Sequence, residues 1–159
     1  MLRELFLFFH FIGFGLIVTL NVAGIILNRH YKKAPDLQQK GVILRAARTL
    51  GLLSPVAILI MLVTGIGNMH SLAFGILTVG WLTAKIILFA ILATSGVLFG
   101  IKARKRGALV KSMVSGNAPS NADELLAEYD KQISLSYIVM PLLTIMILCL
   151  SIYGRLGGQ

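Results

Sequence analysis

The stretch GWLTAKIILFAILATSGVLFG, residues 80–100, is apolar almost throughout, yet Lys85 stands inside it. As a helix rising about 1.5 Å per residue, it is long enough to cross the roughly 30 Å hydrocarbon core of a bilayer. An ionisable group at such a depth costs a few kcal/mol on insertion scales, so its presence asks for a reason.

The rest of the chain has the same character. Its 159 residues are 57% hydrophobic and only 13% charged, with a mean hydropathy of +0.85. Soluble domains carry about 25% charge. The expected class is an integral membrane protein. The net charge of +9 falls mostly in two blocks and shows no basic–aromatic alternation, which suits an anionic membrane face and argues against nucleic acid. The single cysteine, Cys149, excludes an internal disulfide. The first apolar run is too long for a cleaved leader and is read as a retained helix.

Four spans are expected, at about residues 5–28, 52–69, 77–101 and 133–153, in one transmembrane domain. Backbone groups in lipid must be satisfied internally, which makes them helices. The first loop carries Arg29, Lys32, Lys33, Lys40, Arg45 and Arg48. The third carries Lys102, Arg104, Lys105, Arg106, Lys111 and Lys131. The short connection HSLAFG, residues 70–75, has no Lys or Arg. The positive-inside rule puts loops one and three in the cytoplasm and both termini on the outer side. The expected fold is an all-α four-helix membrane bundle. QQKGVILRAARTLGLLSP, residues 38–55, predicts an interfacial helix running into span two, with Pro55 near the span's start. In loop three, Ser120 or Asn121 can cap a short helix that leads into span four, with Asp123 and Glu124 in its first turn.

At 100° per residue, His10, Asn21 and Asn28 share one face of span one to within about 20°, with Phe14, Ile17 and Gly24 beside them. Span two offers Ser54, Met61, Gly65 and Asn68, and span three Thr78, Trp81, Lys85, Leu88, Leu92 and Gly96. Span four offers Tyr137, Pro141, Thr144 and Ser151. Such faces turn inward, because polar groups in lipid are costly and small residues let helices approach. Packing alone accounts for Asn21, Thr64, Thr144, Ser151 and the Gly96–Gly100 pair. Pro141 is expected to kink span four and free carbonyls around Tyr137.

His10 and Lys85 lie at comparable depth, about 7–8 Å and about 12 Å from the outer ends of their spans. Two readings of Lys85 stand. It snorkels outward past Trp81, or it faces inward as a cation for an anionic group. His10 is either an interhelical hydrogen-bonding histidine or a ligand. One histidine is too few for a protein-only zinc or copper site, whereas haem brings four nitrogens and needs one or two axial ligands. His70 and Met69 lie nearer the surface than His10, and His30 is at the opposite end of span one, so a second axial ligand is not evident.

These residues resemble a family. FFHFIGFGLIVTLNVAGIILNRHY (8–31), ARTLGLLSPVAILIMLVTGI (47–66) and GWLTAKIILFAIL (80–92) are similar to the first three helices of the HemJ and CopD-like membrane proteins. The most specific element is a helix-one histidine together with a helix-three Trp-x-x-x-Lys. The family's tyrosine–histidine pair late in helix three stands here as Thr94-Ser95-Gly96, and its helix-one tryptophan is absent. The resemblance implies haem b on His10, with Trp81 and Lys85 as pocket residues and Lys85 suited to a propionate. It also implies a protoporphyrinogen oxidase-like oxidoreductase in a bacterial inner membrane, passing electrons through haem to a membrane acceptor. The alternative is a non-catalytic small subunit or scaffold, in a homo-oligomer or a larger membrane complex. A transporter or copper-handling role is disfavoured, since the spans hold no Met/His/Cys cluster and no Asp or Glu. P-loop, GxGxxG, HExxH and nucleophile-elbow motifs are absent.

Overall fold

The computed structural model describes residues 1–71 and 80–156. The start expected for span three, with Thr78, and most of the 70–75 connection lie outside the described residues. Five helices follow in order: α1 (Leu2–Lys33), α2 (Leu37–Gly51), α3 (Leu53–Ser71), α4 (Gly80–Val114) and α5 (Ala122–Arg155). Among the described residues, four helical segments are long and apolar enough to cross a membrane. Exposed Leu59, Ile66, Ile87, Val97, Ile138 and Ile145 cover their outer faces with aliphatic surface, as lipid-facing helices require.

The helices are longer than the apolar spans. α1 has 32 residues, α4 35 and α5 34, so each is roughly 50 Å long at 1.5 Å per residue, well beyond the hydrocarbon core. The excess lies at the end that carries the basic loops. This corrects the picture of a short helix in loop three, because α5 runs unbroken from Ala122 through Pro141 to Arg155. Asn121 is its N-cap residue without a side-chain cap bond, and Asp123 and Glu124 occupy the first turn as expected. The helix in loop one also forms, but it packs along α1 and α4 and joins α3 through Leu52 alone, whose backbone stays helical. α2 and α3 therefore make one rod. Pro55 has no N–H for the Gly51 carbonyl and crowds the preceding turn, which accounts for the break at Leu52.

Turn chemistry fixes the rod ends. The Asp36 carboxylate accepts from the Gln39 N–H at 2.7 Å and starts α2. After α4, Gly116 adopts φ +74°. Its N–H donates to Met113 O at 3.3 Å, and Asn117 N–H donates to Ser112 O at 3.0 Å. This Schellman arrangement needs the left-handed residue that glycine supplies.

The rods form two antiparallel hairpins, α1 with α2–α3 and α4 with α5. Within the first, Gly13 lies against Ile60 and Met61, and Gly67 lies under the ring of Phe6. Within the second, a Cβ at Gly154 would stand 2.5 Å from the Trp81 ring, and Gly96 faces Met140. Gly100, the partner of Gly96 in the sequence pair, faces open space. The hairpins meet through α1 and α5, where Asn21 Nδ2 donates to Thr144 Oγ1 at 3.0 Å and Gly24 admits Tyr137. They meet again through α2 and α4 at the basic end.

At that end all four rods converge on one ion pair. Arg106 Nη1 lies 3.2 Å from Asp130 Oδ1, with Arg106 only 2% exposed. The guanidinium stacks over Tyr31 at 4.4 Å from the ring centroid, and the Tyr31 hydroxyl donates to Asp130 Oδ2 at 3.4 Å. Lys40 lies over the same ring at 5.3 Å. Leu44, Leu109, Val110, Ala122 and Leu126 bury the group. The Arg106 Nε finds no acceptor among the described residues, so the pair is incompletely satisfied.

Removing one partner of a buried pair costs about 3–5 kcal/mol, while replacing both with apolar residues is often neutral. Asp130→Ala is expected to cost near the low end, about 3 kcal/mol, because Asp130 is 30% exposed. Arg106→Met with Asp130→Leu is expected to recover most of that loss. Thermal unfolding in detergent of the single and double variants checks both.

Candidate functional site

At the end opposite the basic loops, α1 and α3 place His10 beside Thr64. Both sit on buried stripes, Thr64 in register with Ala57 and Met61. His10 Nδ1 is 2.9 Å from Thr64 Oγ1, and Thr64 Oγ1 is 2.6 Å from the Ile60 carbonyl oxygen. A hydroxyl has one hydrogen, and the Ile60 carbonyl can only accept, so that hydrogen goes to Ile60. The Thr64 oxygen then accepts from His10 Nδ1–H. In the neutral ring this tautomer leaves the lone pair on Nε2, the arrangement in which a histidine can ligate iron while its other nitrogen is held in place. Gly65 makes room beside it: a Cβ there would come 3.7 Å from His10 Cε1.

The structure brings Lys85 of α4 within electrostatic range of His10, across the seam between the two hairpins. Lys85 is half-buried. Trp81, one turn along the same stripe, lies against Gly154 of α5, so its ring belongs to the second hairpin's packing. His70 is exposed, about six residues or 9 Å farther out than Thr64, and Phe6 on Gly67 fills the α1–α3 seam between the two levels. His30 is exposed at the basic end. Among the described residues, no three of His, Cys, Asp and Glu gather as a metal-ligand set.

The donor chemistry fits a haem on the protein side: one imidazole with Nε2 as its lone-pair nitrogen, and one cation for a carboxylate. The enclosed void one turn deeper is of another scale. Phe14, Ile17, Met61, Phe89, Leu92, Thr144 and Ile147 leave about 10 Å³, room for about one water. That void is far too small for a macrocycle.

Two features were not read from the sequence as more than packing or loop charge. Thr64 had a signal, a hydroxyl on the same inward stripe as Met61. Arg106 and Asp130 had one too: Arg106 is in helical register with Leu109, Val110 and Met113, and Asp130 with Leu126, Ile133 and Tyr137. Comparison with family models, with curated proteins and with solved structures finds no match.

Thr64→Val removes the acceptor for His10 while keeping the side-chain shape. It is expected to lower stability by about 1 kcal/mol, as for interhelical hydrogen bonds in membranes, and to release the fixed tautomer. Thr64→Ser is expected to restore both. Nitrogen-15 spectra of the His10 ring, read beside unfolding midpoints, check this.

Proposed function

We propose that the chain is a multi-pass protein of a bacterial inner membrane, with both termini on the outer side, and that it binds haem or a related porphyrin at His10. The observation that carries the reading is the Thr64-held imidazole, whose Nε2 is left as the ligating nitrogen, with the Lys85 ammonium in electrostatic range. His10 would be the axial ligand, and Lys85 would face a propionate. Trp81 would stiffen the wall through its contact with α5. A bound haem would supply one-electron redox chemistry, which the side chains here lack. The protein's own part is to hold the His10 tautomer, present a cation and exclude water with the surrounding aliphatic residues. The resemblance to HemJ and CopD-like proteins supports an oxidoreductase acting on a porphyrinogen.

A separate observation favours a second reading, a non-catalytic subunit of a larger membrane complex. Ile87, Ala90, Ile91, Thr94 and Ser95 line an open groove of about 370 Å³ on α4. Thr94 is exposed there, on a face that is otherwise aliphatic. A partner helix laid in that groove would cover it, as small and hydroxyl residues commonly mediate helix contacts in lipid.

An optical spectrum of the detergent-purified protein, as isolated and after dithionite, separates the two. The haem reading expects a Soret band that shifts on reduction, with sharp α and β bands, and its loss in His10→Ala. A colourless protein under adequate haem supply, purifying with a stable partner, supports the subunit reading instead. Haem content unchanged in His10→Ala would remove His10 from the site.

A further inference from the structure

The contacts among Tyr31, Lys40, Arg106 and Asp130 mark one level on all four rods. Counting along each helix from that level toward the apolar spans, the next charged residues are Arg29, Arg45, Arg48, Lys102, Arg104, Lys105 and Lys131. They fall within about 12 Å of it at 1.5 Å per residue. Six of the seven are exposed, and Lys102 is half-buried. No Asp or Glu occurs between this level and the far end of any rod except Glu4, beside the N-terminus. Beyond the level, the tips are mixed: Lys32, Lys33 and Lys111 stand with Asp36, Asp123, Glu124 and Glu128. Charge is thus segregated by height. A purely cationic belt encircles the bundle where the apolar spans end, and a near-neutral cap lies outside it.

We propose that this belt binds the phosphates of anionic phospholipids, with phosphatidylglycerol-type headgroups as the ligand class. The inference rests on the membrane placement of the four rods and not on haem. Nothing in the belt neutralises its charge from within the chain, so lipid phosphate is the counter-charge at that height. Four of the seven residues are arginine, whose planar fork suits phosphate oxygens better than a lysine point charge does. Each basic residue near an anionic surface adds attraction worth about a fivefold change in occupancy, and the effect fades within a Debye length. The tips therefore contribute less than the belt, and the clamp formed by Arg106, Asp130 and Tyr31, with Lys40 over the Tyr31 ring, keeps all four rods in register to present it.

Native mass spectrometry of the full chain, released from detergent with equal phosphatidylglycerol and phosphatidylcholine of matched acyl chains, tests this. Wild type is expected to retain the anionic lipid at least about fivefold over the zwitterionic one, and to lose that preference as salt is raised. Arg29→Gln, Arg45→Gln and Arg104→Gln combined are expected to abolish it. The charge-matched tip variant, Lys32→Gln with Lys33→Gln and Lys111→Gln, is expected to keep it. Equal retention of the two lipids by wild type, a salt-insensitive preference, or the same loss in both triple variants would each overturn the proposal.

Discussion

A buried arginine holds the two hairpins in register. Taking a guanidinium out of water costs several kcal/mol, and only close partners offset that. Arg106 finds them on two other rods: a carboxylate on α5 and an aromatic face on α1, with Lys40 of α2 over the same ring. Because each partner comes from a different helix, the charge can be satisfied only when the rods stand at one relative height. The aliphatic contacts of the spans are not selective in this way, since lipid is as apolar as Leu and gives no hydrophobic drive for helices to choose one neighbour.

This places the stiffness of the molecule at the basic end, beyond the apolar spans, and the candidate site at the far end. Near His10, the polar bond shown is within one hairpin, His10 to Thr64, and Trp81 packs within the other, on Gly154. Between the hairpins, the closer ties are Asn21 with Thr144, Gly24 with Tyr137, and the clamp, each nearer the basic end than His10 is.

Much of this architecture is legible in the sequence because lipid imposes simple rules. Twenty apolar residues make a span, and loop charge marks one end. The inward stripes of span one and span four did bring Asn21 to Thr144. The lengths of the helices were not legible in the same way, because α4 and α5 continue into charged sequence that a hydropathy reading assigns to loops. The 3.6-residue period persists there, with Arg106 and Asp130 standing at core positions. A charged residue on an apolar stripe reads as solvated until its partner is known, and that partner lies 24 residues away on another helix. His10 and Lys85 stand out in the sequence because lipid makes any ionisable residue conspicuous. Thr64 does not stand out in the same way, because a hydroxyl on a membrane helix usually bonds its own backbone, and Thr64 does so while also accepting from His10.

The buried Arg106–Asp130–Tyr31 clamp is expected to lie beyond a bilayer that ends near Ile101. A nitroxide depth profile along the exposed face of α4, at Ile87, Ile91, Leu98, Ile101, Arg104 and Lys111 in a Cys149→Ser background, tests it most directly. The account expects oxygen to dominate relaxation through Ile101, and a water-soluble nickel complex to take over from Arg104 onward. Oxygen-dominated relaxation continuing to Lys111, or nickel access at Ile87 and Ile91, would contradict it.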